Sequence, residues 1–117
     1  MKMIVYKIVT SAEWSEAKKK GQYDGSSDDR RDGFIHLSEG RQLRGTLDAH
    51  FKGKRDLLLI AFEASRLGAD LKWEQSRKGD LFPHLYAPLD VSVALWERPL
   101  PIDSDGVHYL DEDILTC

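Results

Sequence analysis

The sequence predicts an α+β fold: a single compact domain over residues 1–117, with two early helices on a mostly antiparallel, split sheet system. Three observations predict it. Helical patterns with start and stop signals fall only in the first half, near 11–20 and 39–51. Strand-like runs fill most of the remainder. One of them, "RDLLLIAFEA" (55–64), is apolar without a break, as a strand covered on both faces requires.

Each element has its own signal. "MIVYKIV" (3–9) is rich in β-branched and aromatic residues and reads as a strand. Thr10 stands three residues before Glu13, the spacing of a capping box, and opens the helix "SAEWSEAKKK". Gly21 ends that helix after three lysines that suit a helix C-terminus. Trp14 and Ala17 share the face that docks it. "GQYDGSSDDRRDG" (21–33) reads as a polar loop. "FIHLS" (34–38) reads as one short strand, and Ser38 as the N-cap of the second helix, "EGRQLRGTLDAHF". Leu43, Leu47, His50 and Phe51 form its apolar stripe, and Gly53 ends it. "LKWEQS" (71–76) alternates, with Leu71 and Trp73 on the inner side and Lys72, Glu74 and Ser76 on the outer. "RKGDLFPHLYAPL" (77–89), with two prolines and a glycine, reads as mostly irregular. "DVSVALWERPL" (90–100) is a strand, and "GVHYL" (106–110) a short edge strand. The stretch from Asp103 to Asp113 has five acidic residues and no Lys or Arg, so residues 103–117 are expected to form a frayed acidic tail.

Composition narrows the function. At 117 residues the chain buries enough surface to need no disulfide or metal. Its net charge of -3 weighs against stable nucleic-acid binding. The lone cysteine, Cys117, rules out an internal disulfide and paired-cysteine metal sites. There is no signal-peptide pattern and no run of about 18 apolar residues, so a cytoplasmic protein that does not enter membranes is expected. His36, His50, His84 and His108 form no H-x-x-x-H or H-x-H pair, and no metal is expected. G-x-S-x-G, G-x-G-x-x-G and Walker patterns do not occur.

Three groups carry candidate chemistry. In an extended "FIHLS", Phe34, His36 and Ser38 share a face, and a helix N-terminus beside them favours anions such as phosphate. A packed histidine with a capping serine is the plainer alternative. Glu74, with Arg77 three residues on, is placed to orient a sugar hydroxyl or stabilise an oxocarbenium-like transition state. A surface ion pair with Lys72 or Arg77 is the alternative. In an extended "FPHLY", Phe82, His84 and Tyr86 make a wall that stacks a planar ring or grips a ribose. A loop packed over the sheet is the alternative.

"MIVYKIVTSAEW", "GFIHLS", "LKWEQSRKGDLFPHLYAPLDV" and "ALWERPLP" together resemble a bacterial family, domain-of-unknown-function family 952, over residues 3–101. That family is similar to the ADP-ribosyltransferase fold, a compact pair of small sheets enclosing an NAD cleft. Within that superfamily the likeness is to RNA 2′-phosphotransferases, which carry a strand motif "Y-H-G-T" and a later "V-H-L-S". The matching segments are "YKIVT", with Lys7 at the place of the first histidine, and "IHLS", with His36 and Ser38 retained. The superfamily places a His, a Tyr and a Glu on three strands. The resemblance therefore implies His36, Glu74 and Tyr86 as catalytic residues, and Lys7, Ser38, Arg77 and His84 as substrate-binding residues. Lys7 or Arg77 is expected at the rim of the pocket. NAD or a ribose phosphate is the implied substrate, and a transferase or glycohydrolase the implied activity. Lysine departs from the pattern, since it offers a mobile point charge instead of a planar donor. Two further functions stay open: a non-catalytic module for a nucleotide or phosphometabolite, and a protein-interaction domain.

Overall fold

Thr10 is where β1 (Ile4–Thr10) becomes α1 (Ser11–Lys20). Its hydroxyl accepts the Glu13 N–H at 3.0 Å, and the Glu13 carboxylate accepts the Thr10 N–H at 2.9 Å. This is the reciprocal cap that the spacing predicts. The helix stops at Gly21, whose φ of 94° is open to glycine at little cost. The computed structural model describes residues 2–76 and 79–115. After α1 come β2 (Gln22–Tyr23), α2 (Ser27–Asp32), β3 (Ile35–His36), β4 (Ser38–Glu39) and α3 (Leu43–His50). The second half holds β5 (Leu57–Glu63), β6 (Leu71–Gln75), β7 (Leu81–Leu85), β8 (Leu89–Asp90), β9 (Ala94–Pro99) and α4 (Glu112–Leu115).

The larger sheet has the order β4-β1-β5-β9, a second sheet has the order β3-β7-β6, and β2 pairs with β8. All these pairings are antiparallel. The α+β class and the split antiparallel sheets expected from the sequence are what the structure has. β5 is an inner strand buried on both faces, as its unbroken apolar run requires. Side chains alternate between two cores across the larger sheet. Val5, Val9, Ile60 and Phe62 pack with Trp14 and Ala17 of α1 and with Ile35, Leu85 and Leu89. Tyr6, Ile8, Leu57, Leu59 and Ala61 pack with Leu43 and Leu47 of α3 and with Leu100, Leu110 and Ile114.

Several expectations need correction. "FIHLS" is not one strand. Leu37 N–H donates to Pro83 O at 3.0 Å, and there the chain leaves β3, paired with β7, to become β4, paired with β1. Ser38 therefore lies in a strand and caps no helix. A 3₁₀ turn at Gly40–Gln42 precedes α3, and the Gln42 side-chain carbonyl accepts the Glu39 N–H at 2.9 Å. The loop expected at 21–33 contains β2 and α2. The irregular stretch at 77–89 contains β7 and β8. Pro83 is tolerated inside β7 because its carbonyl accepts the Leu37 N–H, so its nitrogen faces away from β6 and the missing N–H breaks no β6–β7 bond.

Trp73 shares the face of Leu71, as expected, but is 36% exposed on β6, an outer strand. The expected edge strand at 106–110 makes one bridge, between Ile102 and His108. The acidic tail does not fray over its described part. Leu110 and Ile114 are buried against α3, and Arg98 holds Asp111 at 2.9 Å.

Candidate functional site

The site is built on a buried ion pair. Lys7 sits on β1 between Val5 and Val9, so its stem runs into an apolar core. Its amine donates to Asp29 Oδ1 at 3.1 Å and to His36 O at 3.0 Å, and lies 2.9 Å from Asp29 Oδ2. Asp29 reaches inward from α2, whose cap it completes: Ser26 N–H donates to Asp29 Oδ2 at 2.9 Å, and Asp29 N–H donates to Ser26 Oγ at 3.2 Å. Gly25 is required here. Its φ is 109°, and an added Cβ would stand 2.9 Å from Asp29 Cβ. The same carboxylate accepts the His36 N–H at 3.1 Å and lies 2.6 Å from His36 Nδ1. Burial lowers the Lys7 pKa from its ordinary value, and the Asp29 charge counters this. Burial also opposes the Asp29 anion, but the His36 hydrogen bond and the Lys7 charge outweigh it and hold the carboxyl well below the usual range. Lys7 is thus the floor of the site and does not stand at its rim.

Above this floor, β3 and β7 place His36 and His84 directly opposite each other. Their rings meet edge to face at 5.6 Å between centroids. Phe34 stacks on His84 at 4.0 Å and lies 4.6 Å from His36 and 5.3 Å from Tyr86. Glu74 comes from β6, one diagonal step from His84. Its Oε1 lies 2.9 Å from His84 Nδ1 and accepts the Tyr86 hydroxyl at 2.7 Å. The Tyr86 hydrogen bond, then the His84 one, hold the Glu74 carboxyl below its ordinary value. The second His36 nitrogen, Nε2, lies 3.0 Å from Asp32 Oδ2.

The structure thus brings His36, Glu74, His84 and Tyr86 together and ties Lys7 beneath them. Ser38 is elsewhere: its hydroxyl is 3.3 Å from Thr46 Oγ1, on the α3 side of the larger sheet. The Glu39 N–H next to it, in the turn before α3, is taken by the Gln42 side chain. Arg77 lies outside the described residues. Sequence reasoning missed Asp29 and Asp32. Ser26-x-x-Asp29 has capping-box spacing and Gly33 the place of a C-terminal glycine, so the stretch read as a loop carried a helix signal.

A cleft of about 240 Å³ opens beside the cluster, lined by Asp24, Asp29, Arg30, Phe34, Tyr86 and Pro88 among others. A larger hollow of about 430 Å³ lies between Arg44 and the 101–110 segment and contains none of the expected site residues. Among the described residues, no three His, Cys, Asp or Glu side chains are placed to hold a metal ion. No helix among them is long and apolar enough to cross a membrane.

Residues 8–96 match the family model described as "Protein of unknown function (DUF952)". The chain is 50% identical to protein CC0527 from Caulobacter crescentus in its crystal structure, with a TM-score of 0.91 over 95% of this chain and 97% of that one. The solution structure of CC0527 matches with a TM-score of 0.80 at 52% identity, over 89% of this chain and 90% of that one. No curated protein matches the chain.

Proposed function

The chain belongs to this family of unknown function, and from its own site we propose that the cleft beside Phe34 and Tyr86 binds a ribose-bearing nucleotide, NAD or a ribose phosphate. The observation that carries this reading is the shared oxygen of Glu74. His84 Nδ1 and the Tyr86 hydroxyl both converge on Oε1, so the carboxylate is ionised and fixed at the edge of an aromatic wall. Phe34 and Tyr86 offer faces for a planar ring. His36 offers a hydrogen bond to a ribose hydroxyl, and Arg30 lines the cleft with a positive charge suited to phosphate. In the enzymatic form of this reading, the protein is a transferase or glycohydrolase of ADP-ribosyltransferase type. Glu74 then stabilises positive charge on the sugar as the glycosidic bond breaks.

The binding-module alternative is favoured by two contacts. The Lys7 amine is taken by Asp29 and the His36 carbonyl, and the Ser38 hydroxyl faces Thr46. Two groups expected to hold substrate are thus engaged within the fold. Calorimetry and thermal shift with NAD, ADP-ribose and 2′-phosphorylated nucleotides test the reading, followed by a nicotinamide-release assay. Binding with turnover that falls in Glu74→Gln supports the enzyme. Binding without turnover supports the module. No binding at millimolar concentration rejects the nucleotide reading.

A further inference from the structure

We infer that the two carboxylates on His36 have opposite tasks: Asp29, braced by Lys7, positions the ring, and Asp32 is a replaceable partner whose place on Nε2 a ligand hydroxyl takes. This deepens the nucleotide reading and rests on it for the identity of the ligand.

The two contacts differ in everything except the ring they share. Asp29 is almost wholly buried, and its side chain is 2% exposed. Its two oxygens face the Ser26 and His36 N–H groups, the Lys7 amine and His36 Nδ1. Capping α2 needs only the first of these. Burying a lysine amine beside the same carboxylate is costly unless the pair is fully bonded. This arrangement fixes both the backbone and the ring edge of one histidine. A carboxylate at Nδ1 keeps a proton there and leaves Nε2 as the working edge.

Asp32 meets that edge from the last turn of α2, with 35% of its side chain exposed. Its other oxygen is 3.1 Å from Arg31 Nε. A carboxylate at a helix C-terminus gains nothing from the helix dipole, so this acid is not there to hold the helix. With His36 itself 39% exposed, Asp32 stands between Nε2 and solvent. A neutral ring satisfies the Asp29 contact alone, and a protonated ring satisfies both. The other groups around the ring are Phe34, His84 across the strand pair, and the Lys7 amine on its carbonyl.

The experiment compares Asp29→Asn, Asp32→Asn and Lys7→Met by nitrogen NMR of the histidine rings and by calorimetry with ADP-ribose. In the unliganded protein we expect the neutral His36 ring to carry its proton on Nδ1, facing Asp29. Asp29→Asn should release that lock, Lys7→Met should weaken it, and Asp32→Asn should leave it intact. With ADP-ribose, Asp29→Asn should weaken binding by about tenfold, the scale of one charged hydrogen bond, while Asp32→Asn should strengthen it. The inference is overturned if Asp32→Asn frees Nδ1, if Asp29→Asn leaves it locked, or if both variants move affinity the same way. If ADP-ribose fails to bind any form, the nucleotide reading falls, and the ring measurement still decides the positioning role. If Asp29→Asn does not fold, Lys7→Met and Asp32→Asn carry the same contrast.

Discussion

His36 and His84 face each other across one strand pair, and each has a carboxylate at Nδ1, yet their burial is reversed. At His36 the acid is buried and the ring is partly open. At His84 the ring is buried, 7% exposed, and its acid, Glu74, is open at 39%. One pair leaves an imidazole partly exposed, and the other leaves a carboxylate partly exposed. The difference shows where the fold invests stability. The His36 pair requires a buried lysine, a capped helix and a glycine at Gly25. The His84 pair requires only a strand register and a stacked phenylalanine.

The largest expected effect therefore lies beneath His36. Asp29→Ala leaves the Lys7 ammonium in an apolar core without a counter-charge, and should cost about 3–5 kcal/mol in denaturant unfolding. Lys7→Met should cost less, because the thioether stem fills the same space while Ser26 and His36 still satisfy the carboxylate. A loss in Lys7→Met equal to that in Asp29→Ala would show that the lysine, not the acid, organises the floor. The same pair sets an acid limit. The folded Asp29 carboxyl lies well below its ordinary 3.8, so between those values the unfolded chain holds a proton that the folded chain does not. Its contribution is complete above the ordinary value and is lost as pH falls through the folded one. The stability gap between the native protein and Asp29→Asn should narrow steadily from about pH 5 to about pH 2 and still be open there, because the folded carboxyl lies far below its ordinary value. A gap that stays constant over that range would show that Asp29 is not ionised in the fold.

The two halves of this comparison were unequally legible in the sequence. His84, Tyr86 and Glu74 were legible because period-two alternation in "LKWEQ" and "FPHLY" puts Glu74 and His84 on one shared face of neighbouring strands, with Tyr86 just past the end of β7. Lys7 was misplaced because the same rule says which face a side chain is on, but not that the face is covered. Ser38 was misread because "FIHLS" changes partner strand at Leu37, and no local propensity announces a switch between sheets. Asp29 hides in "SSDDRRDG", where charge density resembles a loop and the Ser-x-x-Asp spacing and the closing Gly33 mark a helix. The folded tail shows the same limit. Five acids suggest fraying, but Leu110 and Ile114 find a core that only the tertiary fold supplies.

Intermediate effects are expected at the buried ring. His84→Ala removes a packed imidazole and its bond to Glu74, and should cost about 1–3 kcal/mol. Phe34→Ala removes the ring stacked on His84 and should cost about 1 kcal/mol beyond its own area. Both should also loosen Tyr86, whose ring is 5.3 Å from Phe34, and this is measurable as altered tyrosine ring shifts. If Phe34→Ala perturbs His36 more strongly than His84, the stacking order drawn from the ring distances is wrong.

The smallest effect on stability should come from Glu74→Gln. The amide has nearly the shape of the carboxylate and keeps an oxygen that accepts the Tyr86 hydroxyl at 2.7 Å. What it loses is the charge, and at an exposed position charge contributes little to folding. Unfolding curves of the variant and the native protein should therefore superimpose. The Tyr86 hydroxyl, whose pKa the Glu74 carboxylate raises, should return toward its ordinary value, a change visible in a spectrophotometric tyrosine titration. Binding of ADP-ribose should be spared and any nicotinamide release should fall, because the carboxylate matters only once positive charge develops on the sugar. A large loss of stability in Glu74→Gln would place this acid in the scaffold beside Asp29, and the contrast between the two histidines would then be one of exposure alone.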